Sequence, residues 1–380
     1  MAKYNQEMNE WRNSNPSNPN GISTNEVQQH LTLGKEPQAT ATVTSENNNV
    51  VYDRTISDAG DLQTDSQGKV YKVSSTISGT VLQVTYSNLS NSYYIDDNGT
   101  KHNLVKLVRT FSDSELFPVV SWGELWVYDD PTDGFWYNQN THITVDDVYY
   151  DDSGNVVNFG SNAYIAITSL NSSYIDTNNN ATLSGTAKHV EKATLLSSGK
   201  VYGLAGSSIV AHDNSLYADE TNESARDWDG NLTMPQYVGN SLWPSDKANW
   251  DAIGTNEYFG AGLMAVSGTH ITIRFDLAGQ DTNAAGNGVW ATMTTIIPQT
   301  PVPAKPTRKT TSVSYHYLVL AIFLIYCRFF PYSYSVLLEM RRTISWLSIH
   351  VIHYFTNTMT TGLVYIRSVQ YGQLLSIRIG

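Results

Sequence analysis

The chain has 380 residues, 41% hydrophobic and only 15% charged, with a formal net charge of −12, 24 Tyr, 9 Trp and one Cys. Residues 1–315 contain no Cys, which excludes a disulfide scaffold and any cysteine-ligated metal or cluster there. They carry 18 Lys+Arg against 34 Asp+Glu, a balance of −16 that argues against nucleic acid as the primary partner. Residues 316–380 differ sharply, with five Arg, no Lys, one Glu, no Asp and the lone Cys327.

At the start, Tyr4, Met8 and Trp11 fall on one face of a short helix over residues 2–12. Eleven residues are too few for a stable isolated helix, so this stretch reads as the end of a longer helical stalk. It has no apolar core of the length a secretion signal needs, so as written the chain lacks a signal peptide. NSNPSNPNG (13–21) is a breaker, and residues 1–34 read together as stalk end and linker.

From about residue 40 the apolar period is two. Ile271, Ile273, Phe275 and Leu277 alternate with Thr272, Arg274 and Asp276, and residues 78–86, 104–111, 116–128, 143–150, 156–170 and 289–297 read as further strands. Asn98-Gly99 and the DSGN of residues 152–155 are hairpin turns, because Asn, Asp and Gly accept positive φ. No long amphipathic helix interrupts this span. The class is all-β, with two packed antiparallel sheets over residues 35–300.

Residues 211–260 resist strand assignment and contain Trp228, Trp243 and Trp250 among many Asp. Loops of this length in a compact domain are functional or disordered, and this aromatic content argues against disorder. Sugars are held by aromatic faces beneath their C–H surfaces and by carboxylates and amides on their hydroxyls. Trp228, Trp243 and Trp250 with Asp227, Asp229, Asn249, Asp251, Asn256 and Glu257 offer that mixture. Any one of these Trp could equally plug the core beneath the loop. Trp136 and Tyr137, in DPTDGFWYNQN (130–140), are a second candidate of the same kind.

Carboxylates dense enough for calcium, which takes six to eight oxygens, occur at Asp129, Asp130, Asp133, Asp146, Asp147, Asp151 and Asp152, and again between Asp213 and Asp229. Within this set DDSGN reads as a satisfied turn, since it lacks the terminal Glu of a calcium loop. Enzyme signatures are missing: no E-x-D-x-E run, no G-x-S-x-G elbow, and no pair at metal-ligand spacing among the seven His of residues 1–316.

The segments 137–141, 156–170 (VVNFGSNAYIAITSL), 200–213 (KVYGLAGSSIVAHD), 227–230 (DWDG), 258–268 (YFGAGLMAVSG) and 290–301 (WATMTTIIPQTP), with YSNLSNSYY (86–94) and VKLVRTFS (105–112), are similar to the glucan-binding protein C / antigen I/II family. These are wall-anchored adhesins of streptococci and related Gram-positive bacteria. The resemblance keeps the order of the segments over roughly residues 35–300. It implies a large lectin-like β-sandwich (a β-supersandwich) with long loops and short helices, non-catalytic, binding dextran-type α-glucan or a glycosylated surface. It also implies a structural Ca2+ in some members, and host glycoprotein, lipoteichoic acid or extracellular DNA as ligands of others. A glycan-processing enzyme is the remaining alternative.

PQTPVPAKPTRKTT (298–311) is a Pro-rich spacer, with residues 301–315 read as linker. The tail 316–380 admits three readings: a membrane span over 317–338 opposed by Arg328 and Pro331, a packed C-terminal domain, or an out-of-frame product, which the abrupt loss of Asp and Lys favours. No sorting motif of the LPxTG type follows.

Overall fold

Alternation of apolar and polar residues places one face of each strand against a partner sheet, and the inward faces of two sheets meet to form the core. The computed structural model describes residues 2–14, 17–45, 51–55, 69–75, 79–118, 120–178, 181–182, 184–222, 250–251, 257–279, 288–303, 323–324 and 336–337. The chain divides into two units, 1–307 and 308–380.

In the first unit the larger sheet has twelve strands. Its spine runs Leu31–Thr32, Tyr93–Ile95, Lys101–Leu116, Asn140–Asp151, Ile271–Ala278, Thr186–Leu195, Ser172–Ile175, Ala181–Thr182. The pairs Thr40–Thr44 with Thr80–Ser87, and Ile209–His212 with Ser215–Ala218, branch from it. The smaller sheet has eight strands in the order Gly199–Gly203, Gly262–Val266, Tyr164–Thr168, Gly288–Thr294, Phe135–Asn138, Glu124–Tyr128, Lys69–Ser74, Val51–Thr55. Every pairing between these strands is antiparallel. The all-β sandwich expected from the sequence is therefore the observed fold.

Both turns behave as their residues require. Asp96 Oδ1 accepts from the backbone N–H groups of Asn98 and Thr100, and Gly99 has φ +82°. Asp151 Oδ1 likewise accepts from Ser153 and Asn155, and these bonds hold its carboxyl below the usual range, the Asn155 N–H foremost. Two expected strands are shorter than read. Residues 116–128 break at 117–123, where the chain crosses from the larger sheet to the smaller. In 156–170 only Tyr164–Thr168 is a strand, because the Gly160-Ser161-Asn162 turn, with Asn162 at φ +62°, interrupts it.

The core lies between the sheets. Phe135 sits edge-on to Phe111 at 5.0 Å and to Phe275 at 5.3 Å, bringing both sheets together at one aromatic cluster. Beside it lies an ion pair on inward-facing, directly paired positions, Arg109 and Asp147. Arg109 Nε and Nη2 each donate to Asp147 at 2.8 Å, Nη1 donates to the Pro131 carbonyl at 2.9 Å, and neither side chain is more than 2% exposed.

The helix Ala2–Ser14 buries Met8 and Trp11 against Ala205 and Val302. The following segment, read from sequence as a linker, packs on the sandwich: Ile22 bridges to Leu204, and Thr24 Oγ1 donates to the Pro298 carbonyl at 2.8 Å. In the second unit Phe323–Leu324 pairs with Val336–Leu337 antiparallel. Among the described residues no helix is long and apolar enough to cross a membrane. The 317–338 span reading otherwise lies outside them.

Candidate glycan-binding site

At one end of the sandwich the chain crosses between sheets at 117–123, 139 and 169–171. Between the sheets there, a small void with room for about one water is lined by Tyr137, Ile167, Leu170, Glu191, Phe275 and Val289. Glu191 is a carboxylate on the core-facing phase of its strand, opposite Leu277 and in step with Ala193 and Leu195. It is 6% exposed and well partnered. The Asn171 N–H donates to Oε2 at 2.9 Å, and His189 Nε2 lies 3.1 Å from Oε1. Asn171 Nδ2 in turn donates to Asp251 Oδ2 at 3.1 Å. The result is a polar chain, His189–Glu191–Asn171–Asp251, at this end of the sandwich.

Burial pushes the Glu191 carboxyl up; the bonds from His189 and Asn171 pull it down, and the Asp251 charge pushes it up further. The net shift is upward, so the native state holds the proton more tightly than the unfolded chain. Its contribution to stability is complete below the unfolded glutamate value of about 4.3 and is lost as pH rises from there through the raised native value. Urea midpoints measured across that window are expected to fall with rising pH at this group. Glu191→Gln should flatten that part of the profile; an unchanged slope would remove Glu191 as its source.

Of the residues singled out from sequence, Asp251 is at this end and half-buried, and Glu257 opens the short helical turn Glu257–Gly260. Trp250 is a correction. Its indole is completely buried, with Nε1 donating to the Asn222 carbonyl at 2.6 Å and the ring edge-on to Phe259 at 6.2 Å. A Cβ on Gly260 would overlap the ring, so the glycine is what lets it seat. A ring with no exposed face cannot stack on a sugar; Trp250 is a core residue. Tyr137 is the second correction. It is 1% exposed in the core, whereas Trp136 faces outward, because successive strand residues point to opposite faces and cannot form one platform. Trp228, Trp243, Asp227, Asp229, Asn249 and Asn256 lie outside the described residues.

The carboxylates of 129–152 do not converge on a cation. Asp130 accepts from Glu36 and Thr132, Asp133 pairs with Lys35, Asp146 with His270 and Thr272, Asp147 with Arg109, and Asp151 caps its turn. Among the described residues no group of three or more His, Cys, Asp or Glu is placed to hold a metal. This stretch therefore does not fit a calcium shell.

The family profile for glucan-binding protein C matches residues 14–294. The chain belongs to that family. No curated protein sequence matches it significantly. Among solved structures it is similar to glucan-binding protein C of Streptococcus mutans, at 20% identity and TM-score 0.50, covering 80% of this chain and 86% of that one. It is also similar to the adhesin domain of PrgB from Enterococcus faecalis, at 17% identity and TM-score 0.48, covering 71% of this chain and 90% of that one. The same domain bound to DNA matches at 17% identity and TM-score 0.45, covering 70% and 97%.

As a member of the glucan-binding protein C family this chain is a non-catalytic, glucan-binding domain. Sequence reasoning missed Glu191, Asn171 and Asn222. Glu191 left a signal, a carboxylate on the apolar phase of the alternation in residues 186–195. The two asparagines left none. Asn222, 1% exposed, bonds the Leu170 carbonyl, Ser208 Oγ and the Ser172 N–H, contacts that exist only once distant segments meet.

Proposed function

We propose that this domain attaches its bearer to neutral α-glucan of the dextran type, and that the polymer meets the polar chain at the loop-bearing end of the sandwich. The observation that carries this reading is the chain His189–Glu191–Asn171–Asp251, in which Asp251 is half-buried. Carboxylates and amides fixed by one another present acceptors and donors to sugar hydroxyls without reorganising on binding. The family membership supports the ligand class. The −16 balance of residues 1–315 opposes a polyanion in the same place.

Retention of the full chain on immobilised dextran, with soluble dextran as competitor, tests the reading. Asp251→Ala is expected to lower the affinity about tenfold, in line with the loss of a hydrogen bond to a charged group. Unaltered retention of a folded Asp251→Ala protein would refute this site, and absence of any retention would refute the ligand.

A further inference from the structure

On the outer face of the smaller sheet three tryptophans stand side by side. Trp126, Trp136 and Trp290 occupy adjacent strands and are direct partners in register, Trp126 with Trp136 and Trp136 with Trp290. Their strand neighbours Leu125, Tyr137 and Val289 point into the core and are no more than 3% exposed, while all three Trp keep part of their surface in solvent. We infer that this row is a second carbohydrate surface, separate from the His189–Asp251 polar chain, that takes a neutral polysaccharide lying across the strands.

The row has the parts such a ligand needs. Strands lie about 4.8 Å apart, so three neighbouring positions span more than one sugar. A parallel row runs beside it: Glu124, Asn138 and Gly288, again direct partners. Gly288 lets the Trp136 ring lie close to the sheet, since a Cβ there would press on Asn138 Oδ1 and come within 3.3 Å of that ring, and Trp126 and Trp136 pack on the buried Val70 and Tyr128. Stacking faces on one line and a carboxylate and an amide on the next match the two sides of a sugar ring.

Charge decides which polymer fits. Among the described side chains two cations lie by the row, and each has a carboxylate. Lys72 is directly opposite Trp126 and 5.0 Å from its ring centroid; Glu124 pairs with it at 2.6 Å and also accepts from Trp126 Nε1 at 3.0 Å. Lys35 lies 3.5 Å from Asp133, whose carbonyl accepts from Trp290 Nε1 at 3.4 Å. Single-stranded nucleic acid also stacks on aromatic rows, but it requires a basic groove along its backbone, and these two charges are already paired. Cross-strand aromatic pairs stabilise sheets by themselves; that role explains the pairing, but it does not call for the polar row alongside.

Calorimetric titration of the full chain with isomalto-oligosaccharides, and separately with a single-stranded DNA oligomer, tests this. Trp136→Ala combined with Trp126→Ala is expected to weaken oligosaccharide binding by about tenfold or more, while Trp136→Tyr, which keeps a flat ring, retains most of it. Asp251→Ala should leave the row's contribution in place, so failure of the polar-chain site and failure of the row read out differently. Equal oligosaccharide affinity in the folded double variant would overturn the proposal. So would loss of DNA binding with sugar binding intact. A melting midpoint for each variant separates lost stacking from lost fold, and Trp136→Tyr preserves the test where the double variant does not fold.

Discussion

Asp147→Ala is expected to destabilise the domain by about 3–5 kcal/mol, among the largest effects of any single substitution in the sandwich. The Arg109 guanidinium lies in the core between the sheets, and Asp147 takes two of its N–H groups. Removing the carboxylate leaves a full positive charge in a site with 2% exposure and only the Pro131 carbonyl as an acceptor from the original set. Coulomb attraction within the pair offsets desolvation only while both partners are present, which is why deleting one costs more than the pair contributes. Asp147→Asn should lie close to Asp147→Ala, since the amide keeps the shape but loses the charge. An Arg109→Met/Asp147→Leu double variant should recover most of the loss, because apolar residues of similar volume replace such pairs at little cost. Urea denaturation of the full chain supplies the midpoints. If Asp147→Ala shifted the midpoint no more than a surface substitution, water would have to reach Arg109 and the burial argument would fail.

Trp250→Ala is expected to cost a similar amount, about 3–5 kcal/mol, through the cavity left by a fully buried indole. It also leaves the Asn222 carbonyl without the indole N–H in a site where Asn222 itself is 1% exposed. Trp250→Phe keeps the aromatic packing on Phe259 and should cost less than half as much. The comparison separates the two roles the sequence left open. A sugar platform would lose dextran retention with an unchanged melting midpoint. A core residue lowers the midpoint first, and retention follows only with loss of the fold. We expect the second pattern; an unshifted midpoint with lost retention would restore Trp250 to the binding surface. Gly260→Ala should resemble Trp250→Ala, since the added methyl occupies the space of the ring.

These two positions show where sequence reasoning stops. Trp250 was visible as an aromatic residue in an acidic loop, but its burial depends on Asn222, Phe259 and Gly260, and no local pattern predicts that these meet. Trp136 and Tyr137 were taken as a pair because they are adjacent. The two-residue period of the strand, applied to those same residues, separates them to opposite faces. Trp126 and Trp290 carried a usable signal, since each stands on the polar phase of a strand whose apolar phase is plain. Their alignment with Trp136 depends on pairing between residues more than 150 positions apart, which composition does not encode.

What the sequence determined by itself is what is local: the period-two strands, the Asn, Asp and Gly turns that join them, the all-β class, and the absence of cysteine chemistry in residues 1–315. The ordered motifs added the family. What only the tertiary structure decided is which face each aromatic residue occupies and which polar groups share an environment. It moved Trp250 and Tyr137 into the core, gathered Glu191, Asn171 and Asp251 at one end, and aligned three tryptophans across one sheet. The reason is physical. Strand phase and turn geometry depend on neighbours in the chain, whereas burial and polar pairing depend on register between strands, and register is set by the packing of the whole core.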